Sequence, residues 1–159
     1  HLFAGTIASN IAYGKPEATP NEVIHAARCI GALRAIAAIP GGFLAPVGED
    51  GRGLSSGQRQ LIALARAELV KPQLMLLDEA TSTLDPATEK TILSASTRLM
   101  SNRTSVIVAH RLATAAQADR ILVMDGGRIV ETGNHDELLA RQGIYADLWK
   151  HSVSGGSDT

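Results

Sequence analysis

A single cysteine, few aromatic residues and no excess of one charge set the first limits on this 159-residue chain. Cys29 alone permits no internal disulfide and fits a reducing compartment. It reads as a small core residue on a helix rather than as a nucleophile. Aromatic content of 3% leaves the core to Leu, Ile, Val and Ala, for which a hydrophobic content of 45% suffices. The chain carries 15 basic and 16 acidic residues, net −1, with no long block of either sign. A general affinity for nucleic acid or acidic lipid is therefore not indicated. The longest uncharged stretch, 35–48, is broken by Pro40, Gly41, Gly42 and Pro46 and is too short to span a bilayer. No basic-then-apolar leader opens the chain. It begins at His1, already inside what reads as structure, so a longer parent is expected. Also missing is a lysine phosphate loop, G-x-x-x-x-G-K-[ST]. The Gly14–Lys15 pair is followed by Pro16, and Ser9 stands where the first glycine belongs.

What is present reads first as helices. Residues 6–12 form a short helix closed off by Gly14 and Pro16. Thr19-Pro20-Asn21-Glu22 is a helix start, with Thr19 as cap, Pro20 at the first helical position and Glu22 completing a capping box. Val23, Ile24, Ala27 and Ile30 follow as one apolar stripe. A second short helix covers 32–38, stopped by Pro40-Gly41-Gly42, and a loop follows to Gly53. Ser55-Ser56-Gly57-Gln58 repeats the capping-box pattern and opens a helix over 56–70, with Leu61, Ile62, Leu64, Ala65 and Leu69 inward. Only helices and loops are expected up to this point.

The pattern then changes. "QLMLLD", 73–78, suits a strand buried on both faces of a parallel sheet. Asp85-Pro86 starts a helix to about residue 100, and "TSVIVA", 104–109, is a β-branched strand. A helical turn or two covers 112–116. Strands over 120–125 and 128–132 flank Gly126-Gly127, a two-residue hairpin signal. Asn134 caps a short helix, a last helix holds Tyr145, Leu148 and Trp149, and disorder is expected from Ser152. There is no internal repeat and no heptad run. The chain divides into a helical lobe, 1–70, an alternating α/β lobe, 71–150, and a tail, 151–159.

Two places carry chemistry. Asp78 and Glu79 sit together at the C-terminal end of an apolar strand, the edge where open α/β sheets place ligands. Adjacent carboxylates repel and are poorly solvated there, and a divalent cation relieves both problems. In P-loop ATPases one acid serves the metal and a second polar group orients the attacking water. The other place is the turn at Ser55. A helix N-terminus bears roughly half a positive charge and unpaired N–H groups. Ser55 adds a hydroxyl, and Gly57 removes a side chain that blocks close approach. Alone, Ser55 and Gln58 read better as an ordinary helix cap. One helix later, however, comes the strand ending in Asp78.

At these residues the chain resembles a known family. "LSSGQRQLIALARAELVKPQLMLLDEATSTLD" looks like the signature loop, Walker B strand and D-loop of ATP-binding cassette (ABC) ATPases. The likeness continues through His110 in "VIVAHRL" and through "ADRILVMDGGRIVETGNHDELL". "LFAGTIASNIAYGKP" and "PVGEDGRG" resemble the stretch between Q-loop and signature of exporter-type members. The resemblance covers about residues 2–150. It implies an incomplete P-loop NTPase (ABC ATPase) fold, with a helical signature lobe and part of the parallel-sheet core.

It also implies a function for a phosphate grip without a phosphate loop. In this family each ATP lies between two domains facing head to tail, so Leu54, Ser55, Ser56, Gly57 and Gln58 grip the γ-phosphate of a nucleotide held by the partner domain. By the same resemblance Asp78 holds Mg²⁺, Glu79 polarises the attacking water, His110 contacts the γ-phosphate, and Asp85 lies in the D-loop. His25 and His135 read as surface or capping residues. Ser56 and Thr83 depart from the family pattern, which more often has glycine and alanine there. The resemblance implies the ATPase part of a membrane exporter at the cytoplasmic face of the cell membrane, working with transmembrane domains and not with nucleic acid. A soluble ABC ATPase of DNA maintenance is the alternative within enzymes, disfavoured because 1–53 shows no heptads. A non-catalytic interaction fragment is the alternative from another class. Without a Walker A loop, the isolated chain is expected to be inactive.

Overall fold

The computed structural model describes residues 1–78, 85–101 and 103–154. They form two compact units, one built from 1–76 and 85–106, the other from 77–78 and 107–154.

The first unit is helical around a small sheet. β1 (Gly5–Thr6) leads into α1 (Ile7–Ile11), where Thr6 accepts from the Ser9 amide in a capping box. A 3₁₀ turn over Ala12–Gly14 follows. α2 (Pro20–Cys29) begins as its sequence predicts: Thr19 accepts from the Glu22 amide and Pro20 occupies the first turn. α3 (Leu33–Ala37) is short. β2 (Pro46–Val47) then pairs antiparallel with β1, Gly5 opposite Val47 and Thr6 opposite Pro46. This pairing corrects the expectation of helices and loops alone before residue 70. Its partners lie about forty residues apart in sequence, beyond the reach of any local pattern.

α4 (Ser56–Val70) is the central helix and packs against α1, α2 and α5 (Pro86–Met100). Its Leu61, Ile62, Leu64, Ala65 and Leu69 are buried, the stripe expected from their spacing. α2 contributes Val23, Ala26, Ala27 and Ile30 to the same core. Cys29 is exposed, contrary to its expected place in the core. At 100° per residue it lies about 120° around the helix from the centre of that stripe. Its Sγ is 3.3 Å from His25 Nε2, one helical turn away.

β3 (Leu74–Asp78) pairs with β4 (Thr104–Val108). The strand over 73–78 is therefore present, but burial on both of its faces is not. Met75 is buried while Leu74 and Leu76 are 56% and 76% exposed, and Val106 and Val108 are also open. A two-stranded sheet covers one face and leaves the other bare. α5 is capped by Asp85, whose Oδ1 accepts from the Thr88 amide at 2.9 Å.

In the second unit, α6 (Leu112–Ala115) precedes a hairpin of β5 (Ile121–Asp125) and β6 (Arg128–Gly133). Gly126 and Gly127 both take positive φ, 52° and 75°, as a two-residue turn of type I′ requires. Ile121 and Val123 point inward to a core with Leu138 and Tyr145, flanked by Leu112, Leu139 and Trp149. Asn134 caps α7 (His135–Arg141) in a capping box with Glu137. His135 does more than sit at the surface: its Nδ1 is 2.8 Å from the Tyr145 hydroxyl. α8 (Ile144–Ser154) runs through residues 152–154, where disorder was expected. No helix among the described residues is long and apolar enough to cross a membrane.

Candidate functional site

The Ser55 turn is built from both sides. Gln58 N–H donates to Ser55 Oγ at 3.2 Å, and Ser55 N–H donates to Gln58 Oε1 at 2.9 Å. This reciprocal pair leaves the Ser55 hydroxyl proton available to donate. The N–H groups of Ser56 and Gly57 stay at the open end of α4, where helix geometry gives them no intrahelical acceptor. Gly57 is buried and Ser56 half-buried. Leu54, 8% exposed, anchors the entry to the turn. Arg59 braces the approach from within the helix, donating to the Leu54 carbonyl at 2.7 Å. Its stem lies over Gly51, where an added Cβ would come within 2.5 Å of Arg59 Cδ and where φ is +76°. The positive φ favours glycine there, and a larger residue would also push the Arg59 stem aside.

In the second unit, Asp78 ends β3 and His110 follows β4. Their side chains meet, with His110 Nε2 3.4 Å from Asp78 Oδ1, and both are solvent-accessible. Glu79 and Thr83 lie outside the described residues. Asp85 is exposed and engaged as the cap of α5. Hydrogen bonds from Thr88, its side chain first and then its amide, hold the Asp85 carboxyl below the usual aspartate range.

Two supporting residues escaped the sequence reading. Arg66 of α4 reaches His1 and Asn10, and Glu131 of β6 caps α8. Their partners lie 56 or more and 13 or more residues away, so no local spacing announces them. For Arg66 the one available signal was a cation set in the apolar run "LIALARA".

This order, a capped and open helix N-terminus one helix before a strand that ends in an acid, is the one expected from the resemblance to ABC ATPases. The family model for ABC transporters matches residues 15–82. A fatty acid ABC transporter ATP-binding/permease protein of Mycobacterium tuberculosis (strain CDC 1551 / Oshkosh) is 53% identical over 147 residues, 92% of this chain and 23% of that protein. An ATP-dependent lipid A-core flippase of Shewanella frigidimarina is 51% identical over 154 residues, 96% of this chain and 26% of the flippase. The solved structure of a bacterial Atm1-family ABC exporter with ATP bound superposes with a TM-score of 0.84 at 43% identity, covering 99% of this chain and 27% of the exporter. The chain belongs to the ABC transporter family. It spans about a quarter of the length of these relatives.

Proposed function

We propose that these residues form the signature and Walker B part of a nucleotide-binding domain that binds and hydrolyses ATP in a membrane exporter. The observation that carries this reading is the meeting of Asp78 and His110 at 3.4 Å, two motif residues brought together from 32 positions apart. The Ser55 turn supports it. A terminal phosphoryl group suits the open N–H groups of Ser56 and Gly57 and the hydroxyl of Ser55, with Leu54 and Gln58 holding the turn in shape. Mg²⁺ suits Asp78: this cation keeps several waters and takes one or two carboxylates together with phosphate oxygens. Asp78 supplies one accessible carboxylate, and no cluster of three or more His, Cys, Asp or Glu that could hold a metal occurs among the described residues. Mg²⁺ would supply charge neutralisation at the phosphates. Glu79 would orient the attacking water, His110 would contact the γ-phosphate, and Asp85 would lie at the boundary with a second domain.

In this reading the phosphate gripped by the Ser55 turn belongs to a nucleotide held by that second domain, arranged head to tail. Closure of the pair on ATP would drive transmembrane domains from the cytoplasmic face of the membrane. The relatives are named as transporters and flippases, which favours export over DNA maintenance. Glu79→Gln in the full-length protein tests the assignment. Nucleotide binding is expected to persist while most turnover is lost. Unchanged steady-state hydrolysis removes Glu79 from its role.

A further inference from the structure

The packing of α4 explains why the helix forms but not why it stops at one axial position. Its inward face is Leu, Ile and Ala, and apolar contact is non-directional. Glu68 makes one directional contact, accepting from Arg103 at 2.7 Å toward the other end of the helix; those to residues 1–10 come from Arg66. Its Nε donates to the Asn10 carbonyl at 2.7 Å, one terminal nitrogen donates to the His1 carbonyl at 2.9 Å, and the other donates to Asn10 Oδ1 at 3.2 Å. Asn10 is 1% exposed and is itself clamped. Its Oδ1 accepts from Phe3 N–H, and its Nδ2 donates to the carbonyls of Phe3 and Thr6. The guanidinium also lies 5.8 Å and 5.4 Å from the ring centres of Phe3 and Tyr13, which stack on each other at 4.1 Å. A planar fork of five donors matches such a set; an ammonium does not.

Among the described residues no carboxylate pairs with Arg66. Burial lowers its pKa from the ordinary arginine value. A partly desolvated cation without a counter-ion is a poor way to gain stability. Its partners instead fix a geometry: three charge-assisted bonds tie the helix to residues 1–10. The Ser55 turn lies eleven residues up the same rod, about 16 Å away at 1.5 Å per residue.

We propose that Arg66 is a positioning residue for the Ser55–Gln58 turn, setting the axial place of α4 through the carbonyls of His1 and Asn10 and the Asn10 amide. The proposal rests on the reading that this turn meets a terminal phosphate. It is tested in the full-length protein in a Glu79→Gln background, with dimer closure measured against ATP concentration. Arg66→Lys keeps the charge and loses the fork; Arg66→Gln loses the charge and keeps two donors. Thermal unfolding selects the variants that fold, and removing the buried charge makes Arg66→Gln the safer one. For each folded variant the ATP concentration for half-closure is expected to rise about tenfold, since small misplacements of binding groups are costly. Nucleotide affinity in the open state is expected to stay unchanged. Ser55→Ala provides the separate arm. If it shifts closure while both folded Arg66 variants do not, Arg66 has no positioning role. If Ser55→Ala itself leaves closure unchanged, the phosphate reading of the turn fails first.

Discussion

His110 Nε2 and Asp78 Oδ1 meet at 3.4 Å across the ends of two strands, both open to solvent. A contact of this length between accessible groups contributes little stability, about 0–1 kcal/mol. Its value is placement. Asp78→Asn is expected to remove Mg²⁺-dependent hydrolysis in the full-length protein while leaving its thermal midpoint nearly unchanged. His110→Ala is expected to keep nucleotide binding and lose on the order of 10²-fold or more in turnover, as removal of one preorganised electrostatic contact does. Steady-state kinetics beside thermal melts separate the two effects. A fall in stability that accounts for the lost activity would count against both roles.

The purified 159-residue chain is expected not to hydrolyse ATP, because its sequence holds no G-x-x-x-x-G-K-[ST] loop. Phosphate release with and without Mg²⁺ measures this directly. Magnesium-dependent turnover that disappears with Glu79→Gln would show that these residues suffice. The exposed apolar side chains of Leu74, Leu76 and Val106 lead to a companion expectation. Exposed apolar surface of this kind promotes association, so the purified chain should self-associate with rising concentration, as light scattering would detect.

The helix starts were the most legible features of the sequence, for a local reason. Thr19 with Glu22, Ser55 with Gln58 and Asn134 with Glu137 are spaced three apart, and each pair closes on itself. The two-glycine turn and the stripe of α4 were equally readable, and that of α2 nearly so, with Ala26 rather than Ile24 completing its buried face. The stripe of α2 even held the answer for Cys29, which lies off it. Contacts between distant segments were not legible. The β1–β2 pair, the Arg66 clasp and the Glu131 cap join segments that no periodicity links. At the candidate site, motif order named Asp78 and His110, but nothing in their spacing foretold that the two side chains touch.

Glu131 gives the next expectation. Its two carboxylate oxygens accept the N–H groups of Ile144 at 2.7 Å and Tyr145 at 3.0 Å, so a residue of β6 serves as N-terminal cap for α8. The negative charge also faces the positive end of the helix. Gly143 allows the approach, since a Cβ there would overlap Glu131 Oε1. Glu131→Ala is expected to cost about 1–2 kcal/mol, the range for losing a helix cap. Glu131→Gln, which keeps one acceptor and loses the charge, should cost less. Amide exchange over 144–148 should accelerate in the same order. Equal exchange in all three proteins would show that α8 is held by the packing of its own Tyr145 and Trp149 alone.

Acid sensitivity is expected at the start of α2. Glu22 accepts from Lys15 Nζ at 2.6 Å and from the Thr19 amide at 2.7 Å and hydroxyl at 2.9 Å. Its carboxyl is lowered from 4.5 to about 2, first by the Lys15 hydrogen bond and then by the amide and hydroxyl of Thr19. Lys15 is raised by the same partner. A carboxyl that is more acidic in the folded state than in the unfolded one contributes stability that is fully present above the unfolded value. That contribution is lost as pH falls through the folded value. The window therefore runs from about pH 4.5 down to about pH 2. The Glu22 side chain is 43% exposed, so water screens the pair and the effect is modest. Glu22→Gln keeps an acceptor for Thr19 and removes the titration. Its thermal midpoint should fall less than that of the parent between pH 5 and pH 2, and the two curves should converge at the acidic end. Parallel curves over that range would show that Glu22 does not set the acid response of this helix.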